Sequence, residues 1–252
     1  MNALNKFMAE AVGTFVFCFV GAGAICAATY MTKTPNKDFG PIASYVTLIG
    51  IAAAHGLILS IVVSATMNIS GGHINPAVTV CMLLTRRISA LGAFQYIVAQ
   101  LAGAVAAGGL VVFFFGNLST PAGDLVVSAC QLGTPNVSDN IDSTMAVLIE
   151  MAGTFVLVFA IFGTAVDPRA PKLGGWGIGL AVASVIFVIG PLTGASMNPA
   201  RTFGPGLVAA LNGDLSAFWE QQWIYWVGPI VGAIIAAFVY DKAILERSPV
   251  TR

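Results

Sequence analysis

The residues whose types and spacing could do chemistry are two copies of Asn-Pro-Ala, Asn75-Pro76-Ala77 and Asn198-Pro199-Ala200. An asparagine side-chain oxygen accepts well from the free N–H groups at a helix start, and proline is favoured at the first helical position. Each triplet therefore reads as the beginning of a helix. Both follow a glycine-containing turn. The chemistry of such a place is electrostatic, because a helix start carries partial positive charge and disfavours a nearby cation. Arg201 comes directly after the second triplet, where the first has Val78. Glu10, Glu150, His55 and His73 are further polar residues set in apolar sequence.

The elements that position these residues must lie in lipid. The 252 residues are 57% hydrophobic and only 9% charged, against about a quarter charged in soluble domains. Uncharged stretches long enough to cross roughly 30 Å of hydrocarbon as helix run over 11–30, 42–65, 90–115, 151–166, 173–192 and 223–240, the fourth and last being short. Lys6 before an apolar run imitates a signal peptide, but that run is long and holds Glu10, which suits a retained helix. Net charge is zero and there is no basic run, so nucleic acid is excluded as a partner. Neither a nucleophile constellation, a metal-ligand cluster nor a phosphate-binding glycine motif supports an enzyme, and no cofactor is expected. Cys18, Cys26 and Cys81 stand in apolar segments and Cys130 in a loop; without metal-like spacing or obvious pairing, they read as small buried side chains.

Six spans with both ends inside should keep Lys and Arg on the cytoplasmic side. Lys6, Arg86, Arg87, Arg169, Lys172, Lys242, Arg247 and Arg252 fall there, and only Lys33 and Lys37 fall outside. The loop 116–142 carries Asp124, Asp139 and Asp142 without a basic residue, as an external loop would.

The chain also repeats itself. Glu10-Ala-Val-Gly-Thr-Phe-Val returns as Glu150-Met-Ala-Gly-Thr-Phe-Val, and Ser70-Gly-Gly-His-Ile-Asn-Pro-Ala-Val-Thr returns as Thr193-Gly-Ala-Ser-Met-Asn-Pro-Ala-Arg-Thr. The first repeat covers about 6–116 and the second about 143–245 of a single transmembrane domain. Each holds three spans, an odd number, so the repeats are inverted about an axis in the membrane plane. A helix from Asn75 to Arg86 would rise about 17 Å, around half the hydrocarbon thickness. Irregular backbone survives at membrane depth only inside protein or along a watery cavity, so two half-helices entering from opposite faces imply a pore. The expected fold is an all-α membrane protein with six transmembrane helices and two re-entrant half-helices.

With its doubled Asn-Pro-Ala motif in inverted repeats, the chain resembles the major intrinsic protein family, the aquaporins and their glycerol-conducting relatives, from about residue 6 to 240. The resemblance implies that Asn75 and Asn198 cap their half-helices with oxygen and turn amide N–H groups into the pore. A water accepting from both amides aims its own hydrogens outward, which interrupts proton hopping. Ionisable groups within spans are functional candidates by default. Glu10 and Glu150 lack companions for a proton relay, and the resemblance implies that they accept backbone N–H groups of the re-entrant loops. It also implies that Arg201 lines the outer constriction, together with His55, Ile186 and Ala195, which lie at the matching spacings before the motifs.

Strict water channels usually show Phe, His and Cys or Thr at those last three places, and glycerol channels Trp, Gly and Phe. The set found here is similar to that of plant tonoplast intrinsic proteins, many of which pass ammonia or hydrogen peroxide beside water; Ile186 with Arg201 also resembles an archaeal aquaporin. Thr202 and Tyr225-Trp226 lean towards water over glycerol. His55 is expected to supply a polar group beside Arg201, and His73 to pack near the cytoplasmic mouth. The expected function is passive conduction of water and small neutral solutes by a homotetramer in the lipid bilayer of the cell membrane, both termini cytoplasmic. The competing readings are a facilitator of glycerol, ammonia or metalloid acids and, from another class, an ion-coupled secondary transporter.

Overall fold

The computed structural model describes residues 2–32, 40–120, 122–171, 173–213 and 215–245. Lys33, Lys37, Lys172, Arg247 and Arg252, used above for orientation, lie outside the described residues. The helices are α1 (Ala3–Thr32), α2 (Gly40–Thr66), α3 (Pro76–Leu84), α4 (Ala90–Phe115), α5 (Val126–Ala129), α6 (Ser143–Ile161), α7 (Trp176–Thr193), α8 (Pro199–Leu211), α9 (Leu215–Gln222) and α10 (Ile224–Val239). Among the described residues, six stretches are helical, long and apolar enough to span: Ala3–Met31, Tyr45–Thr66, Ala90–Phe115, Ser143–Val166, Trp176–Thr193 and Phe218–Ile244.

The fourth and last spans are not short. Sequence reading cut them at polar residues that the fold buries or bonds. Glu150 is fully buried inside the fourth, and the last starts within the polar helix α9, at Phe218, where Gln221 Oε1 accepts the Val137 N–H at 3.1 Å. The fifth starts three residues later than expected because Gly174 takes a left-handed turn at φ 59° before it.

Inverted repetition governs the packing. α1 lies on α4 and α6 on α10, while α2 and α7 meet between the halves. Each half-helix packs into the opposite repeat, α3 against α10 and α8 against α4. Close crossings rest on glycine: a Cβ on Gly103 would sit 2.1 Å from the Ala11 carbonyl oxygen, and one on Gly232 would sit 2.1 Å from that of Met151. Ala11 and Met151 directly follow Glu10 and Glu150, so the two contacts are one contact seen twice. Small residues at crossings let helices approach where lipid provides no hydrophobic drive for association. Gly103→Val or Gly232→Val is therefore expected to cut the yield of monodisperse detergent-solubilised protein several-fold. Gly109→Val, whose Cβ would meet nothing within 4 Å, should leave it unchanged on the same size-exclusion run. Outward, Leu91, Phe94, Phe113 and Val188 are exposed and apolar, a surface suited to lipid.

The half-helix α3 is shorter than the sequence reading, ending at Leu84. Arg86 turns left-handed at φ 61°, while Arg86 N–H donates to Leu83 and Arg87 N–H to Met82, the paired closure that terminates a helix. Arg87 then bonds Asp241 at 2.7 Å and stacks 5.0 Å from the Phe162 ring. The ends of α3, α6 and α10 thus gather at one face. Nearby, the Arg169 side chain and backbone N–H hold the Asp167 carboxyl well below the usual carboxylate range, and Tyr240 donates to it at 3.2 Å.

Candidate functional site

The two re-entrant loops share one backbone design. Gly71, Gly72 and Ile74 have φ of 95°, 62° and 55°, and at the equivalent positions Gly194, Ala195 and Met197 have 76°, 47° and 51°. For a β-branched residue such as Ile74 the left-handed region is costly. What holds it is an acid. Glu10 Oε2 accepts the Ile74 N–H at 2.7 Å, and Oε1 accepts the His73 N–H at 2.9 Å and the Ser70 hydroxyl at 2.6 Å. Glu150 does likewise: Oε2 accepts the Met197 N–H at 2.7 Å, and Oε1 accepts the Ser196 N–H at 2.9 Å and the Thr193 hydroxyl at 2.7 Å. Both carboxylates are fully buried.

Asn75 and Asn198 both have extended backbone, and their Oδ1 atoms accept the Ala77 and Ala200 N–H groups at 2.9 and 3.0 Å. Pro76 and Pro199 occupy the first helical turn, and Ala77 and Ala200 are fully buried behind them. The amide nitrogens cross over. Asn75 Nδ2 donates to the Met197 carbonyl at 2.8 Å and Asn198 Nδ2 to the Ile74 carbonyl at 2.9 Å. An amide group has two N–H donors, so one of each pair is spent on the opposite loop and one remains for the cavity that both asparagines line.

That cavity holds about 240 Å³ and extends from His55, Ile186, Ala195 and Arg201 past the asparagines to His73, Met67 and Val166. Phe17, Leu59, Leu157 and Val182 give it an apolar wall. Arg201, only 3% exposed, is fixed on several sides: Nη1 donates to the Gly133 carbonyl at 3.1 Å, and Nε and Nη2 lie 3.3 and 3.2 Å from His55 Nε2. His55 Nδ1 is 2.8 Å from the Ile51 carbonyl. A carbonyl only accepts, so Nδ1 carries the proton and Nε2 accepts from the guanidinium. His55 thus stands beside Arg201 and lines the cavity with it. Both ring nitrogens are already engaged, and His55 positions Arg201. Space for the ring comes from Gly21, where a Cβ would approach Nε2 to 2.5 Å.

His73 lines the inner part of the cavity, with Nδ1 3.1 Å from the Thr79 hydroxyl and its ring set edge-on to Tyr96 at 5.1 Å. Several supporting bonds escaped sequence reading, among them that of Tyr225, read there only as a mark of water over glycerol. Tyr96 donates to the Ser70 carbonyl at 2.7 Å and Tyr225 to the Thr193 carbonyl at 2.8 Å, and each tyrosine stands at the same spacing before its crossing glycine, Gly103 or Gly232. Gln100 donates to Glu10 Oε2 at 2.7 Å, whereas Pro229 fills its place in the second repeat. Gly133 holds Arg201 by a carbonyl, which leaves no side-chain signal.

Ala195 faces the cavity and none of the described cysteines does. Ala195→Cys is expected to make water flux blockable by mercury at concentrations that leave the parent open, measured by stopped-flow light scattering. Equal block of both would place the parent's reactive thiol, such as Cys81, in the path.

Residues 1–240 match the family model for the major intrinsic protein family. The chain is 38% identical to "Aquaporin TIP4-4" of Zea mays, over 98% of this chain and 89% of that one. It is also 38% identical to "Probable aquaporin TIP3-2" of Arabidopsis thaliana, over 97% and 85%. Its fold is similar to the crystal structure of the aquaglyceroporin from Plasmodium falciparum, with a TM-score of 0.76, 23% identity and coverage of 96% and 97% of the two chains. With six apolar spanning helices and a lined cavity among its described residues, and matched along nearly its whole length, the chain belongs to the major intrinsic protein family and is an aquaporin-type membrane channel, not an enzyme.

Proposed function

We propose that this channel conducts water down its osmotic gradient, passes small neutral solutes such as ammonia in addition, and excludes protons and ions. The carrying observation is a single cavity in which Asn75 and Asn198 each retain an amide donor while Arg201 stands fixed at one end. Two half-helix starts and a guanidinium disfavour cations along this path. Asn75 and Asn198 orient the permeating water, Arg201, Ile186 and Ala195 form the constriction with His55 behind the guanidinium, Glu10 and Glu150 support the loops, and His73 walls the inner half. The functional unit is one domain built of repeats 6–116 and 143–245, assembled as a homotetramer with a pore in each subunit, as the family resemblance implies.

Chain ends on the cytoplasmic side agree with the clustering of Arg87 and Arg169 at the face where α3 and α6 end. A plasma-membrane location finds no support among TIP-type relatives, and the proposal stops at a multi-pass bilayer protein. In reconstituted vesicles, the protein should speed osmotic shrinkage while a proton gradient persists. Gradient collapse attributable to the protein would overturn the proposal. Glycerol flux rivalling that of water would replace it by a glycerol facilitator, and flux driven by a proton or sodium gradient would replace it by a coupled transporter.

A further inference from the structure

Cys26 and Cys130, 104 residues apart in sequence, place their sulfurs 3.5 Å from each other. Cys26 is fully buried in α1, whereas Cys130, directly after α5, is half-buried. Read from sequence as small buried side chains without obvious pairing, Cys18, Cys26 and Cys81 are indeed buried; what the sequence did not show is this contact, which neither Cys18 nor Cys81 shares. We propose that Cys26 and Cys130 are an oxidisable dithiol, a modification site at which hydrogen peroxide closes a disulfide that ties the loop between α4 and α6 to α1.

Disulfide closure needs the sulfurs to approach to about 2.05 Å, a travel of about 1.5 Å from their 3.5 Å separation. The half-exposed sulfur is the one a small oxidant meets first. A hydrogen bond from Cys26, aided by the Gly133 and Leu132 backbone N–H groups, holds the Cys130 thiol below the usual thiol range, and the thiolate is the reactive form. Its sulfur attacks one peroxide oxygen, the O–O bond breaks and hydroxide leaves, giving a sulfenic acid. The Cys26 sulfur then attacks the Cys130 sulfur; the S–O bond breaks, and the leaving hydroxide takes the Cys26 proton as water. Two thiols lose two electrons in all and one peroxide becomes two waters.

The location gives the bond a consequence at the pore. Gln131 and Leu132, next to Cys130, are left-handed at φ 47° and 55°, and Gly133 follows at 69° with the carbonyl that accepts from Arg201. A Cβ on Gly133 would press to 2.7 Å from the Ala22 carbonyl of α1. The disulfide would fasten this strained turn to the helix it already touches, and with it the acceptor of the guanidinium. This goes beyond the permeation proposal and does not depend on which solute passes.

The test uses pre-reduced full-length protein in vesicles treated with hydrogen peroxide, denatured with N-ethylmaleimide, digested and examined by mass spectrometry. The expected result is a linked peptide pair joining Cys26 to Cys130, lighter by two hydrogens than the separate thiol peptides, with Cys18 and Cys81 alkylated. In Cys26→Ser the link should vanish and dimedone should trap a sulfenic acid on Cys130. In Cys130→Ser, which tests the same point should the buried substitution fail to fold, Cys26 should stay alkylatable. Full alkylation of both cysteines after peroxide, a link through Cys18 or Cys81, or a cross-link between two chains that persists in Cys26→Ser would each overturn the proposal.

Discussion

Replacing Glu10 or Glu150 with alanine is expected to abolish recovery of folded channel. Removing Glu150 strands the Ser196 and Met197 N–H groups and the Thr193 hydroxyl, and removing Glu10 strands the His73 and Ile74 N–H groups, the Ser70 hydroxyl and the Gln100 amide. A buried donor left unsatisfied costs about 1–3 kcal/mol, so either loss is of the order of several kcal/mol, comparable with the net stability of a typical domain. Glutamine keeps one acceptor oxygen but turns N–H groups towards donors, so Glu10→Gln and Glu150→Gln should fall between wild type and alanine. The check is the yield of monodisperse protein beside water flux per recovered channel. Alanine variants that solubilise and conduct like the parent would sink the supporting role. Glutamine variants of full yield that altered only proton movement would revive the relay reading.

The second large effect is on discrimination. Because His55 is committed to Arg201 and Ile51, the proposed constriction would set one charged wall against the apolar Ile186 and Ala195, which line the same cavity. A solute that forms fewer hydrogen bonds than water is penalised little there. His55→Phe with Ile186→His moves the polar ring across the opening and releases the guanidinium edge. Gaining or losing a buried polar partner is worth about 1–3 kcal/mol, or about one to two orders of magnitude in relative flux. Ammonia flux should fall by that factor in the double variant while water flux is largely spared, read in one vesicle preparation by internal pH and light scattering. A parent without ammonia flux above empty vesicles, or a double variant with unchanged ammonia flux, would leave a water-only channel in its place.

The paired motifs were legible because they are local. Asn75-Pro76 and Asn198-Pro199 announce helix starts by cap chemistry alone, and Glu10 and Glu150 stand out because a charge in an apolar span needs a reason. Repeat alignment also held the Tyr96–Gly103 and Tyr225–Gly232 correspondences, which short motifs overlooked. What sequence does not carry is the use of main-chain groups and of partners far along the chain. Nothing at position 133 marks a carbonyl for Arg201, and no spacing rule joins Cys26 to Cys130. The extent of the fourth and last spans was hidden for a related reason, since polarity reads as a boundary until the bonds of Glu150 and the seat of Gln222 are known.

The crossed amides of Asn75 and Asn198 bolt the two inverted halves together at the point where a carrier would have to part them. Rocking one half against the other would break both bonds, each buried and each anchored to a loop that its own glutamate pins. A passage so fastened has no cycle of opening and closing to set its pace. Its conductance should then follow temperature as gently as the mobility of water itself, without the steep rise of a protein that must rearrange once for every molecule it moves.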